Sequence, residues 1–526
     1  MRIKVLLAAL IFSVEAGSLA ASDCSQAMAL YDKGDFAGTE KAVSAIPGVL
    51  DLPCLKLLAE SQLAQGRLKE ASVSFAQVAE LSHQDKDSLR KLARLYSWTN
   101  RLNEAVAAYD AVIALDPADF SAVVEKARVL GWDRRYAEAS LAYKAAFEAS
   151  KQAWIDEERQ GKESMWDRRP AAGLVHLKKA AELNDGDTEA LLDLAQFYSD
   201  AGEYELAQPY YDRLLKAAPY NTAAIRSSRK NTVYRDSFRL SAGVDLLDAR
   251  SPERATGVRY LNYSAAVSKR LDRNFTLAGS GSAGRYSFKG TPSLDERGAG
   301  VSLAYGAGFE GGASASYTRK AYVQNIGARE NYAISGWKKV LETFSVSASA
   351  VKENLINNYA NVRDSRDVLY GKTRADWDAS GAVRGGADWR AGKVNDGNKF
   401  EIYGADARLA YDEAPAAFYS VLRYEHQRYN RHSAQYFAPK AYNTYSFTQV
   451  LKKNIGKEGL YYGADDLYYE IKCSVVYDES AHLSLQPAAA VYMDFSSRLN
   501  LKAGWSVTAS HYYRDNYYFV NAAWIF

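Results

Sequence analysis

Bond-making chemistry has few candidates in this chain. His426 and His432 stand six apart beside Glu425, a spacing that fits no metal motif. Ser510-His511 sets a hydroxyl next to a base, but no third group completes a triad. There is no GxSxG, no HExxH and no Walker loop. No catalytic residue, metal or cofactor is therefore expected. Weak, repeated polar contact is better supplied. Asp406 and Arg408 alternate with Tyr403, Ala405, Ala407, Leu409 and Tyr411, and Lys502, Ser506 and Thr508 alternate with Leu501, Ala503, Trp505, Val507 and Ala509. Such groups exchange hydrogen bonds on nearly equal terms with water. Tyr436, Phe437 and Pro439 add two aromatic faces and a rigid turn. Each set also has a plainer reading: Asp406 and Arg408 pair across a wall and stabilise it, and Pro439 ends a strand.

These residues sit in a stretch of period two. Phe238, Leu240, Ala242, Val244 and Leu246 alternate with Arg239, Ser241, Gly243 and Asp245; Phe344, Val346, Ala348 and Ala350 alternate with serines. One face is apolar and the other small and polar, which fits lipid outside and a watery lumen inside. On that basis Asp406, Arg408, Lys502, Ser506 and Thr508 face the lumen. Short links such as Leu271–Asn274 and Leu341–Thr343 contrast with polar stretches at Tyr286–Arg297 and Asn354–Lys372, expected to be long loops at the opposite end. The length available suits about 16 strands, enough to keep an aqueous channel. The chain closes on Tyr518, Val520, Ala522, Trp524 and Phe526, an aromatic-rimmed apolar stripe. Tyr518, Trp524 and Phe526 are expected to serve as the barrel-insertion signal. Of the 38 tyrosines, 28 lie beyond residue 230, where interfacial girdles would use them.

The first half has a different period. Spaced by 34 residues run Ala37, Ala71, Ala105, Ala139, Gly173 and Ala207, and four residues further run Lys41, Phe75, Tyr109, Tyr143, Leu177 and Tyr211. A small residue where two helices cross, with an aromatic one turn later, packs a helical hairpin against its neighbour. The pattern resembles the tetratricopeptide repeat, in about six units. Ala71, Phe75, Ala105, Tyr109, Ala139, Tyr143, Ala207 and Tyr211 are its packing residues. The fifth unit is irregular, with Asp156-Glu157-Glu158-Arg159 in its first helix and Gly173 in the alanine column.

Arg2 and Lys4, an apolar run over residues 5–14 and Ser18-Leu19-Ala20 read as a signal peptide. Export would permit a Cys24–Cys54 disulfide; the alternative is two small buried hydrophobes. Cys473 has no evident partner and is expected only to pack. The organisation expected is a signal peptide (1–20), a tetratricopeptide-repeat superhelix (21–220), a basic connector (221–235) and a transmembrane antiparallel β-barrel (236–526).

Repeats followed by such a barrel resemble the exopolysaccharide export porins, which include the cellulose-synthase-associated barrel proteins and the poly-N-acetylglucosamine export porin. Two stretches carry the resemblance: Ala93–Trp98 with Ala127–Tyr136 in the repeats, and Tyr436-Phe437-Ala438-Pro439, which is similar to the Tyr-Phe-Ser-Pro segment of cellulose-type barrels with Ala438 in the serine position. Six units are far fewer than the cellulose-type proteins carry. The resemblance implies an outer-membrane porin whose partners are membrane lipid, a polysaccharide and periplasmic or inner-membrane synthase components. Asp406, Arg408, Lys502, Ser506, Thr508, Tyr436, Phe437 and Pro439 would then touch glycan. Similar architecture also occurs in phage-adsorption outer-membrane proteins, where loops act as a surface receptor without polymer transport. A net charge of +3 gives no footprint for nucleic acid.

Overall fold

The structure, a computed structural model, describes residues 24–526 except 220, 251–256, 325, 357, 381, 413–415, 455–466, 480–481, 497 and 510–513. The expected signal peptide lies outside the described residues. The chain forms two compact units, one ending at Val129 and the other starting at Leu130, so the division falls inside the repeats.

Thirteen helices come first among the described residues: α1 Ser25–Asp32, α2 Phe36–Ser44, α3 Leu52–Ala64, α4 Leu68–Leu81, α5 Lys86–Trp98, α6 Leu102–Leu115, α7 Phe120–Trp132, α8 Tyr136–Ser150, α9 Ala153–Trp166, α10 Pro170–Leu183, α11 Thr188–Asp200, α12 Tyr204–Ala217 and α13 Thr222–Asp236. The segment read as a connector is therefore helical. Local chemistry sets many of the ends. Asp51, Asp85, Asp187 and Asn221 accept from backbone N–H groups in the first turns of α3, α5, α11 and α13. The turns closing the hairpins use one left-handed residue each, at Gly34, Gly66, Asn100, Arg134, Arg168 and Gly202.

In the first unit the column residues Ala71, Phe75, Ala105 and Tyr109 are buried. Ion pairs tie α5 to its neighbours, with Lys91 on Glu60, Lys86 on Asp116 (2.8 Å) and Arg94 on Glu125. Cys24 and Cys54 form a disulfide with their Cα atoms 5.7 Å apart. In the second unit Ala139, Tyr143, Ala207 and Tyr211 are buried in the same way. The irregular fifth unit is the helical hairpin α9–α10. A Cβ at Gly173 would lie 3.0 Å from Met165 Cγ and 3.1 Å from the Gly161 carbonyl oxygen, so the column alanine would need α9 to give by a few tenths of an ångström.

Sixteen antiparallel strands then close into a barrel, each paired with its sequence neighbours and β1 with β16. They are β1 Phe238–Arg250, β2 Gly257–Arg270, β3 Phe275–Phe288, β4 Leu294–Gly306, β5 Gly311–Tyr322, β6 Gly327–Leu341, β7 Phe344–Asn354, β8 Asp367–Asp378, β9 Val383–Val394, β10 Lys399–Asp412, β11 Ala416–Tyr429, β12 Tyr442–Asn454, β13 Leu467–Asp478, β14 Leu483–Asp494, β15 Leu499–Ala509 and β16 Arg514–Ile525. A short helix, α14 (Tyr359–Arg363), lies between β7 and β8. At the seam Phe238 and Phe526 exchange both backbone hydrogen bonds at 2.9 Å. Closure removes every unpaired strand edge, as a lipid environment requires. No described helix is long and apolar enough to cross a membrane.

Two loop expectations change. Residues 286–297 hold the ends of β3 and β4 and only a five-residue link, 289–293; residues 354–372 include the first six residues of β8. Polar residues there lie within strands that extend past the apolar band, so polarity does not mark a loop in a barrel strand.

Candidate functional site

The alternation sorts each strand into two faces. Trp524, Val520 and Tyr518 on β16, with Phe526 just beyond it, are exposed on the outside, in register with Trp505 and Ala503 of β15. Cys473, expected to pack, is instead an exposed free thiol, opposite Gln449 and Pro487. The inner face carries Ser345, Ser347 and Ser349 on β7, Thr448 bonded to Ser474 at 2.8 Å, and Ser314 bonded to Ser335 at 2.8 Å. Ser506 and Thr508 belong to this face; Ser506 stands opposite Tyr517, and the Thr508 N–H donates to Asp515 Oδ1 at 3.0 Å.

Asp406 and Arg408 lie on the inner face but do not pair with each other. Asp406 accepts from Arg374 of β8 (2.8 and 3.2 Å) and Arg423 of β11 (3.2 Å). The same two guanidinium groups bind Asp388 of β9, at 3.3 and 2.9 Å. Asp376 and Glu425 complete a network of two arginines and four carboxylates over β8–β11. Room comes from two inward glycines. A Cβ at Gly386 would meet Arg374 Nη2 at 2.2 Å, and one at Gly404 would meet Arg423 Nη2 at 2.4 Å. Alternation alone does not single out Arg374, Asp388 and Arg423. The available signal is glycine at inward positions between charged residues, because it marks a close approach within a strand.

Other inner cations rest on aromatic rings. The Arg408 guanidinium lies 3.8 Å from the Tyr419 ring centre, Lys452 Nζ 4.1 Å from that of Tyr468, and Lys502 Nζ 4.8 Å from that of Tyr492 and 5.1 Å from that of Phe519. Tyr468 and Tyr492 are stacked at 4.3 Å. Such contacts hold a cation without neutralising it.

At the end of the barrel away from α13, two loops fold together. Tyr436, in the β11–β12 loop, is buried with Val368, Val394, Phe400, Ile402 and Ala438. Its hydroxyl donates to Asp396 Oδ2 at 2.9 Å and accepts from Asn398 Nδ2 at 3.1 Å. The β7–β8 loop holds the same segment: Asn361 donates to the Gln435 carbonyl at 3.1 Å and Arg366 to Gln435 Oε1 at 2.8 Å. Its Val362 packs with Tyr286, Phe288, Leu294 and Tyr322 on the ends of β3–β5. Phe437 is exposed and packs edge-on against Tyr442. The Pro439 carbonyl accepts from the Tyr429 N–H at 2.9 Å, so Pro439 turns the loop back toward the end of β11.

At the other end the helices of the second unit meet the barrel turns. Arg270 donates to the Gly202 carbonyl at 2.6 Å and pairs with Glu205 at 3.0 Å; Arg273 pairs with Glu203 at 2.5 Å. Phe309 packs on Phe197 at 5.1 Å. Glu342 accepts from the Ala171 N–H at 3.0 Å, capping the start of α10, and Arg168 pairs with Asp378 at 3.0 Å. Behind this contact, Lys162 is buried against Glu189 and Asp193, the latter at 2.7 Å. Burial, aided by the Glu189 charge, pushes the Asp193 carboxyl above the usual carboxylate range despite Lys162.

The tetratricopeptide repeat family model matches residues 62–128 and 167–229. Among solved structures, the chain is similar to a bacterial polysaccharide outer membrane secretin at 10% identity and a TM-score of 0.45, over 56% of this chain and 99% of that one. A tetratricopeptide repeat protein from Parabacteroides merdae matches at 16% identity and a TM-score of 0.30, over 39% and 82% of the two chains. A thermophilic repeat protein from Thermus thermophilus matches at 18% and 0.29, over 35% and 100%. No curated protein matches the chain.

Proposed function

We propose that the chain is an outer-membrane porin for export of an exopolysaccharide, with its helical repeats in the periplasm binding parts of the synthesis and secretion machinery. The observation that carries this reading is the inner face of the closed sixteen-strand barrel, lined by serines, threonines and solvated charges together with tyrosine rings. Small hydroxyls let a hydrated polymer trade water for wall at little net cost, and ring faces give pyranoses an apolar surface to pass over. Strand parity puts the helices of the second unit, both barrel termini and the turns those helices touch at one end. In an outer-membrane barrel that end is periplasmic. Asp406 and Arg408 then stand in the wall of the path, Asp406 as part of the wall's own ion network and Arg408 as a contact group. Tyr436 is placed to anchor a closure at the outer mouth. Repeat arrays are seldom catalytic, and a scaffold and conduit uses every feature described. Deleting the gene should abolish extracellular polymer while cytoplasmic precursor synthesis continues. Unchanged secreted polymer in the deletion strain refutes the reading.

A further inference from the structure

We infer that the lumen wall of β10–β15 forms a track for an acidic polysaccharide, one that carries carboxylates on its sugar rings. The inference rests on the export reading and names the class of polymer.

The lumen holds two kinds of cation. Arg374 and Arg423 are outnumbered by Asp376, Asp388, Asp406 and Glu425, two cations to four carboxylates, and have no charge to offer a ligand. Arg408, Lys452 and Lys502 are different. Each lies on a ring, at 3.8, 4.1 and 4.8 Å, and none forms an ion pair among the described residues; Lys452 stands opposite Glu470, whose carboxylate is taken by Lys472 at 2.7 Å. Arg408 Nε is also buried without a hydrogen-bond partner. A ring holds its cation in place through the quadrupole and leaves the positive charge uncompensated.

The placement is ordered. Arg408 on β10, Tyr419 on β11, Lys452 on β12, Tyr468 on β13, Tyr492 on β14 and Lys502 on β15 follow one another around the wall, one per strand. The register joins them: Ala410 is opposite Tyr419, Tyr419 opposite Val450, Tyr468 opposite Tyr492, and Tyr492 opposite Lys502. All six lie near the strand ends on the repeat side. Three cations and three rings are therefore interspersed along an arc at the entrance, with Tyr468 and Tyr492 stacked side by side between Lys452 and Lys502. A sugar acid offers the complementary pair, an apolar ring face and a carboxylate.

A separate observation concerns access. Among the described residues, the contacts between helices and barrel turns fall on the turns after β2, β4, β6 and β8, through Arg270, Arg273, Phe309, Glu342 and Asp378. The arc lies on the other half of the circumference. An entering polymer thus meets the cationic half, not the half under the helices. Each contact is weak because the groups stay partly solvated, so a chain is attracted to the arc without being trapped there.

The test uses the full-length protein in planar bilayers, with oligogalacturonate, maltooligosaccharide and chitosan oligomers of matched length as probes on the repeat side. Oligogalacturonate should block the wild-type current at lower concentration than maltooligosaccharide, and chitosan oligomers should block least. The triple variant R408Q/K452Q/K502Q, confirmed as folded by heat-modifiable gel mobility, should need at least tenfold more oligogalacturonate, with maltooligosaccharide block little changed. K452R and K502R should keep the block. Raising salt to about 1 M should weaken it, since partly exposed charges are screened. Equal block by neutral and acidic probes, or an unaltered triple variant, overturns the acidic-polymer inference and leaves the porin standing. A wild-type barrel that carries no current under any condition overturns both.

Discussion

Replacing Tyr436 with alanine should release the β11–β12 loop at the far mouth of the barrel. The Tyr436 side chain is 6% exposed, packed among Val368, Val394, Phe400 and Ile402, and its hydroxyl bonds both Asp396 and Asn398. Truncating a buried aromatic costs about 3–5 kcal/mol. The barrel itself is held by sixteen strand pairs that do not involve this side chain, so the cost falls on docking of the loop. That is about two to three and a half powers of ten in the docked-to-undocked ratio. The loop contains Arg431 and Lys440, both exposed, so trypsin reads the undocked population directly when cleavage is slower than redocking. In proteoliposomes, Tyr436→Ala should be cut at the loop at least a hundredfold faster than wild type, with an increased open probability in bilayer recordings. Phe437→Ala is the control, because Phe437 is 58% exposed and should change the rate less than threefold. If both variants were cut at the wild-type rate, or Phe437→Ala matched Tyr436→Ala, the anchoring role of Tyr436 would be wrong.

Four further outcomes follow from named contacts. Reducing Cys24–Cys54 opens a loop of 30 residues, and the chain-entropy relation puts the loss at about 3–4 kcal/mol; hydrogen exchange should rise in α1–α3 and remain unchanged in the barrel. Gly173→Ala should destabilise α9–α10 by about 1–3 kcal/mol through overpacking, seen as a lower helix-melting temperature, and an unchanged melt would refute the close-approach account. Val520→Lys, at an exposed outward position near the middle of β16, should cost about 2–4 kcal/mol in urea titration of the barrel in vesicles, whereas Asn521→Lys on the inner face should cost far less. For Asp193 the folded-state carboxyl lies above its unfolded value. The native state therefore binds more protons between the two, and stability falls as pH rises from about 4 toward neutrality. Asp193→Asn should accordingly raise the helix-melting temperature at pH 8 and lose that advantage at pH 5; a pH-independent difference would remove the burial argument.

The features legible from the residues alone were those written in a local period. The 34-residue column placed Ala71, Phe75, Tyr109, Tyr143 and Tyr211 at buried positions because each helical hairpin packs through its own sequence. The two-residue alternation assigned Asp406, Arg408, Lys502 and Ser506 to the inner face because a β-strand permits only two sides. What could not be read was set by register between strands. Arg374 and Asp406 are 32 residues apart and on strands that are not adjacent, so no spacing along the chain announces their bond. The same holds for Lys452 over Tyr468, separated by a connection whose length says nothing about height on the wall.

The distribution of charge around the wall ties these levels together. On β8–β11 every strand contributes a member of the ion network, and Gly386 and Gly404 are small because guanidinium groups fill the space a side chain would take. Removing one partner from a network of this sort leaves a charge stranded, which is far more costly than the intact network is stabilising. The network therefore favours a stiff wall on the side that meets the helices through Asp378, where movement of the barrel would disturb Arg168 and the cap on α10. Arg408 on β10, Lys452 on β12 and Lys502 on β15 are placed differently, on rings that leave their charge uncompensated. Paired and ring-held cations thus meet on β10 and β11, where Asp406 belongs to the network and Arg408 lies on Tyr419, and a neutral, symmetric pore would need neither arrangement.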